Sequence, residues 1–261
     1  MDFLLYLLQN GLEYSAVNVA RSALSAVLGL YDNVVFGKHP LVVRFMKGVF
    51  NQHPPQARYS CTWDVAEVLP WLRTLSPVKF ISLKDLTFKL VMLLALVSAQ
   101  RCQTLHALDL NCLTKGKVYI FSFTETLKHS RQGRPAPSVK LEPYPPDRRL
   151  CVITVLKEYI KRTSLLRGAE TRLLISYIKP HGRVGRPTIA RWVRLGLSRA
   201  GVDSKVYKAH STRMASTSKA LDASVPLTNI MAAAGWANAG TFAKFYHRST
   251  KKSFQSGVLQ S

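Results

Sequence analysis

The chain has 261 residues, 47% of them hydrophobic, which is enough apolar material for one large domain or two small ones and fits neither intrinsic disorder nor collagen-like repetition. Lys and Arg number 37 against 14 Asp and Glu, a formal net charge of +23. Such a surface calls for a polyanion, nucleic acid being the commonest, while 14 carboxylates with no Asp-x-Asp pair leave little material for a two-metal nuclease or polymerase site.

The opening MDFLLYLLQNG lacks a basic stretch and a small-residue cleavage site, so it does not read as a signal peptide. Residues 2–10, about 15–30 and about 40–50 carry apolar residues at helical spacing, with Val17, Ala20, Leu24, Val27 and Leu28 on one face of the second. Pro54 and Pro55, in NQHPPQARYS, forbid continued helix and read as a linker. The charge breaks at the same place: residues 1–56 hold four basic and three acidic residues, residues 57–261 hold 33 and 11. We therefore expect a near-neutral helical domain over 1–56 and a basic domain over 57–261.

Beyond the linker, Trp63 to Leu75 and Leu83 to Val97 read as two helices, the second apolar nearly all round and hence buried. The most apolar run, Leu90 to Ala99, is about half the ~20 residues that a membrane span requires, and a soluble, intracellular protein is expected. The period then changes. Residues 117–123 and 138–142 alternate or are rich in β-formers, with a basic turn region around Lys128, Arg131 and Arg134 between them, which predicts a small antiparallel sheet. Helical patterns resume at about 150–163, 188–200, 211–222, 226–234 and 239–247. The expected class is mainly α, α+β, with one small sheet and no internal repeat. Cys61, Cys102, Cys112 and Cys151 lack the close pairing of zinc sites and read as free thiols in a reducing compartment.

Four places concentrate chemistry of one type. Arg101 follows the apolar helix in SAQRCQTLHALDL, Lys128 lies in the basic region, His210 and Arg213 form AHSTR, and Trp236 and Tyr246 stand in AGWANAGTFAKFYHR. An arginine presents a planar fork to phosphate oxygens, so two can hold both non-bridging oxygens of a phosphodiester without a metal. A tyrosine hydroxyl needs cationic neighbours or a base to act as nucleophile at neutral pH. His210 is suited to accept its proton, and a lysine to protonate a departing sugar oxygen. His210 and Arg213, at i and i+3, share a helix face if that helix begins by residue 210. Singly each has a plainer role: Arg101 as a helix-end charge, His210 as a backbone-bonded helix-start residue, Trp236 as packing, Tyr246 as part of a core stripe with Phe242 and Phe245.

In order and spacing, however, Arg, then Lys in a β-region, then His-x-x-Arg, then Gly-Trp, then Tyr ten residues on resembles the active-site series of the tyrosine recombinases, the phage-integrase family, over most of residues 57–261. SAQRCQTLHALDL and GWANAGTFAKFY look closest to the recombinases of DIRS-type and Ngaro-type eukaryotic retroelements. The resemblance implies a helical catalytic domain with a small antiparallel sheet, preceded over 1–56 by the later helices of a core-binding (SAM-like) domain. A full core-binding domain is usually longer, so the chain is expected to lack its beginning or to be a piece of a larger polyprotein.

The resemblance further implies that Tyr246 attacks the scissile phosphate, leaving a 3′-phosphotyrosyl enzyme and a free 5′-hydroxyl. Arg101 and Arg213 would bind the phosphate, Lys128 would protonate the leaving oxygen, His210 would assist proton transfer at Tyr246, and Trp236 would pack against the site or donate its indole N–H. No cofactor, metal, ATP or small-molecule substrate is expected, in keeping with the absence of a GxxxxGK[ST] loop. The implied partners are double-stranded DNA and further copies of the chain, as a tetramer, with no membrane, and the implied location is the nucleus. Lys128, Arg131, Arg134, Arg183, Arg186, Arg191 and Lys208 are the candidates for DNA contact.

Two departures stand out, Thr104 and Thr212, the latter in place of a leucine common in the His-x-x-Arg motif of relatives. Thr104 occupies the position, three after Arg101, where many relatives carry Glu or Asp, with Asp109 nearby to compensate. Lys115, Lys117 and Lys140 are alternatives to Lys128. The rival readings are a degenerate, inactive relative acting as a basic DNA-binding protein, and an RNA-binding basic protein, which explains charge but not the motif series.

Overall fold

The computed structural model describes residues 1–55, 59–125, 138–236 and 240, so Lys128, Arg131, Arg134 and Tyr246, and the helix expected at 239–247 apart from Gly240, lie outside the described residues. The chain divides into two compact units, Met1–Tyr59 and Ser60–Ser261.

The first unit holds α1 (Asp2–Gln9), α2 (Tyr14–Val27), a two-stranded hairpin of β1 (Leu30–Tyr31) and β2 (Val34–Val35), and α3 (Pro40–Gln52). Leu4, Val17, Val42 and Met46 form its core, with Leu7, Leu24, Phe36 and Phe45 packed around them. The second helix stops at Val27, earlier than its apolar pattern predicts. Asp32 and Asn33 take φ of 49° and 61°, the left-handed pair that a tight two-residue hairpin requires, so Leu30 and Tyr31 pair with Val35 and Val34 instead of extending the helix. Val27 and Leu28, which the sequence pattern places on one apolar face with Val17 and Leu24, are exposed.

In the second unit a capping box in which Asp64 accepts from Ala66 N, and Glu67 from Asp64 N, opens a 3-10 turn at Val65–Glu67. That turn leads into α4 (Val68–Thr74), so the helix expected from Trp63 begins later. Next come α5 (Leu83–Ser98), capped by Ser82 accepting from Asp85 N, and the one-turn α6 (Cys102–His106), which the sequence pattern did not reveal. The sheet has three antiparallel strands, β3 (Leu113–Thr114), β4 (Tyr119–Phe121) and β5 (Val139–Leu141), in that order. Its strands are shorter than predicted and β3 is additional. Tyr119 faces Leu141 and Phe121 faces Val139, all four buried, while Lys140 of the intervening pair is exposed. The helices α7 (Val152–Thr163), α8 (Arg186–Arg199), α9 (Ser211–Asp222) and α10 (Leu227–Ala234) complete the unit.

The helix α5 is the axis of this unit, packing against α6, α7, α8, α9 and β5. Its Leu86 to Leu96 are buried on every side, as its nearly all-apolar sequence predicts. Among the described residues no helix is long and apolar enough to cross a membrane. The approach of α8 to α5 depends on Gly196: a Cβ there would lie 2.7 Å from Met92 Cγ and 2.8 Å from its Sδ. Gly196→Ala is therefore expected to lower stability by about 1–2 kcal/mol despite the better helix propensity of alanine. Denaturant unfolding checks this, and in a Met92→Ala background, where the obstructing side chain is gone, the same substitution should cost less.

Candidate active site in a basic cleft

Three segments far apart in sequence meet at the end of α5. Ala99 ends that helix in the left-handed conformation, φ 49° and ψ 28°, which turns the chain sharply so that Arg101 stands at the N-cap of α6. Ala99 packs with Ile230, Ala234 and Trp236, and the buried Gln100 donates from Nε2 to Ala233 O at 2.6 Å. From α9, Arg213 donates from Nη2 to Ala234 O at 2.6 Å and sets its guanidinium carbon 4.6 Å from the centre of the Trp236 ring. Arg213 is only 1% exposed.

The Gly-Trp pair has a local reason. Gly235 ends α10 at φ 67°, where a side chain would be strained, and its N–H reaches Ala232 O while Trp236 N–H reaches Met231 O. That closure turns the chain back and delivers the buried indole onto Arg213. The segments of Arg101, His-x-x-Arg and Gly-Trp are thus bound to one another by side-chain hydrogen bonds and a cation–π contact.

An open cleft of about 950 Å³ runs along the front of this junction. Arg101, Cys102 and Gln103 line it from α6, Arg186, Arg191 and Arg194 from α8, and Lys208 and His210 from the turn before α9. Its described lining includes five guanidinium or ammonium groups and no carboxylate, so an anion entering it meets a concentration of positive charge. His210 is the N-cap residue of α9, with φ −69° and ψ −23°, three positions before Arg213 as the motif spacing requires.

The cleft therefore brings together Arg101, Arg186, Arg191, Lys208 and His210 of the residues picked out from the sequence. Arg213 and Trp236 belong to the junction that supports it. Arg183 stands elsewhere, exposed and bridged to Ile175, close enough to help lower the pKa of His106. Burial is the main cause of that lowering, followed by Arg183, Arg172 and Arg186. Asp109, the possible substitute for an acid at Thr104, accepts from Thr171 Oγ1 at 2.8 Å and from Asn111 N at 2.9 Å, and lies 3.9 Å from Arg172 Nε. Thr104 itself is buried. The Cys102 thiol is pushed up to about 11 by burial and stays protonated, which removes it as a nucleophile in the cleft.

Sequence reasoning missed Arg194 and Gln100. Arg194 carried a signal, since it follows Arg191 by three and Arg186 by eight and so shares their face of α8. Gln100 carried none, because its partner is a backbone carbonyl 133 residues away.

Comparison of the sequence with protein-family models and with curated proteins finds no match. Comparison with solved structures does. The Tn1549 transposon integrase in complex with transposon right-end DNA is 15% identical, with a TM-score of 0.63 over 98% of this chain and 81% of that one. A lambda integrase dimer bound to a COC′ core site is 14% identical, with a TM-score of 0.60 over 97% and 80%. XerA recombinase is 15% identical, with a TM-score of 0.56 over 98% and 86%. The fold is that of the tyrosine recombinases. The tyrosine recombinase fold covers nearly the whole chain, so the small first unit is included in the match as well as the unit that holds the cleft.

Proposed function

We propose that this chain is a site-specific DNA recombinase or integrase that cuts and rejoins DNA through a tyrosine nucleophile. The observation that carries the reading is the placement of Arg101 and His210 in one basic cleft, with no carboxylate among its described lining residues and with Arg213 and Trp236 locked into the junction behind it. A phosphodiester in that cleft is held by Arg101, with Arg213 as the second arginine of the site. The Tyr246 oxygen attacks phosphorus and gives its proton toward His210. The bond to the 5′-oxygen breaks, and Lys128 supplies the proton that this oxygen takes up. A 3′-phosphotyrosine and a free 5′-hydroxyl result, and attack by another 5′-hydroxyl reverses the step on a new partner. The bond energy is conserved in the phosphotyrosine, so neither ATP nor a metal is consumed.

Arg186, Arg191 and Lys208 contact phosphates beside the scissile one, and Arg131, Arg134 and Arg183 extend the basic surface. In this reading the first unit is part of a core-binding domain, several copies assemble on double-stranded DNA, and the chain serves a mobile element of the DIRS or Ngaro kind in the nucleus. Support for assembly on DNA comes from the similar proteins solved as DNA complexes, one of them a dimer.

The test uses nicked suicide duplexes with randomised arms, incubated with the full chain in EDTA. Covalent protein–DNA complexes should form, the recovered DNA should converge on one sequence, and Tyr246→Phe should abolish the adduct. An adduct that persists in that variant overturns the assignment of the nucleophile. Sequence-specific, salt-sensitive binding without any adduct identifies an inactive DNA-binding relative instead.

A further inference from the structure

We infer that Trp63 is a positioning residue for the turn that carries Lys208 and His210, acting through Ser211; this rests on the reading of the cleft as an active site. The first residues of the second unit form a strap along the start of α9. Cys61 Sγ lies 3.4 Å from Tyr207 Oη, Trp63 Nε1 donates to Ser211 Oγ at 2.9 Å, and Asp64 Oδ1 sits 3.7 Å from Lys219 Nζ. Trp63 and Ser211 are both buried, so their bond is shielded from water, whereas the Asp64–Lys219 pair is half-exposed and contributes little.

The chemistry of the turn shows why this bond matters. Lys208, Ala209 and His210 line the cleft, and the next residue, Ser211, is fully buried. Ser211 N and Ser211 Oγ both donate to Lys208 O at 2.8 Å, which closes the turn. The hydroxyl thus spends its proton on Lys208 and offers its lone pair to the Trp63 indole. A phenylalanine or leucine at 63 would fill a buried site without an N–H, so the indole is needed for its donor as well as its bulk. His210 is adjacent to Ser211 and Lys208 is three residues before it, so a shift of the turn moves both cleft-lining side chains. A displacement of about 1 Å at such a group costs up to about a hundredfold in rate.

Trp63→Phe, Ser211→Ala and the double variant, made in the full chain, test the proposal. The chain has seven histidines, and the His210 ring signals are identified by their loss in His210→Gln and followed through a pH titration. The His210 titration responds to its distance from the cationic groups that line the cleft with it, Arg101, Arg186, Arg191, Arg194 and Lys208. Each single variant should move the His210 titration. With the DNA recovered in the suicide-duplex experiment, each should slow covalent-complex formation at saturating DNA about tenfold, with affinity within about twofold of the original. The double variant should be no worse than Ser211→Ala, which also loses the bond to Lys208 O, because Trp63→Phe has no bond left to remove once the hydroxyl is gone.

A lowered melting temperature with an unmoved His210 titration overturns the proposal and leaves Trp63 a packing residue. If Trp63→Phe does not fold, a chain carrying benzothienylalanine at position 63, which keeps the shape of the indole without its N–H, decides between the two roles, since Ser211→Ala also removes the bond from Ser211 Oγ to Lys208 O. If the unaltered chain forms no adduct with any DNA, the recombinase reading fails, and the His210 titration still decides whether Trp63 positions the turn.

Discussion

Arg213→Ala is expected to slow covalent-complex formation by about a thousandfold or more, while DNA affinity falls by less than about tenfold. The difference follows from where the guanidinium lies. At 1% exposure, between Ala234 O and the Trp236 ring, it adds little to the long-range attraction that the exposed Arg186, Arg191 and Arg194 exert on a polyanion. Its value is local, as a fixed fork of donors in a site shielded from water, where charge developing on a phosphate is stabilised most. The same substitution strips a donor from Ala234 O and a cation from the face of Trp236, so α10 loosens against α9 at a cost of about 2–4 kcal/mol. Single-turnover cleavage, equilibrium binding and thermal melting of one preparation separate these effects. Arg213→Lys keeps the charge without the planar fork and should recover binding and part of the stability but little of the rate. Equal losses of rate and affinity in Arg213→Ala would make Arg213 a DNA-positioning residue.

The long helices of the second unit were legible in the sequence because each carries a strong period or cap: α5 its unbroken apolar run, α7 and α9 their positions within a residue or two of the pattern. Short elements were not. The one-turn α6 has five residues, too few for periodicity, and it exists because Ala99 turns the chain in a left-handed conformation that alanine does not advertise. The hairpin at Leu30 to Val35 was hidden inside a helical pattern, although Asp32-Asn33 is turn chemistry.

For the site, the order Arg101, His210, Arg213, Trp236 could be read directly, and the local reason for Gly235 before Trp236 is visible in any helix end. What linear sequence could not supply is the set of contacts to backbone: Gln100 to Ala233 O, Arg213 to Ala234 O. Carbonyls are present at every residue and carry no identity, so the junction that joins the motifs has no signature of its own. Trp63 is a similar case, because its partner Ser211 lies 148 residues away, inside a motif whose other members carry the recognisable chemistry.

Lys89 is the buried charge that the apolar reading of α5 passed over, and its replacement should destabilise the chain as strongly as that of Arg213. With 0% exposure, its Nζ donates to Leu72 O at 2.8 Å, Leu75 O at 2.7 Å and Ser76 Oγ at 2.8 Å. Leu72 and Leu75 belong to the end of α4, whose last carbonyls have no partner within the helix, so the ammonium caps α4 from inside α5. Lys89→Met keeps most of the stem and removes all three donors, and should cost about 2–4 kcal/mol at pH 7. Burial pushes the Lys89 pKa down to about 8, against the opposing pull of Asp147. Below that pH the ammonium is charged in both folded and unfolded chains, and folding bears the full cost of burying it. Between about 8 and the ordinary 10.5 the folded chain has released a proton that the unfolded chain still holds, so this contribution to stability rises with pH. The neutral amine still has two N–H groups for the three acceptors. Urea unfolding of the unaltered chain and of Lys89→Met, compared at steps from pH 7 to 10.5, should therefore show a gap that widens above pH 8. A gap that closes over that range would mean that the three acceptors hold the charge on Lys89 more strongly than burial opposes it.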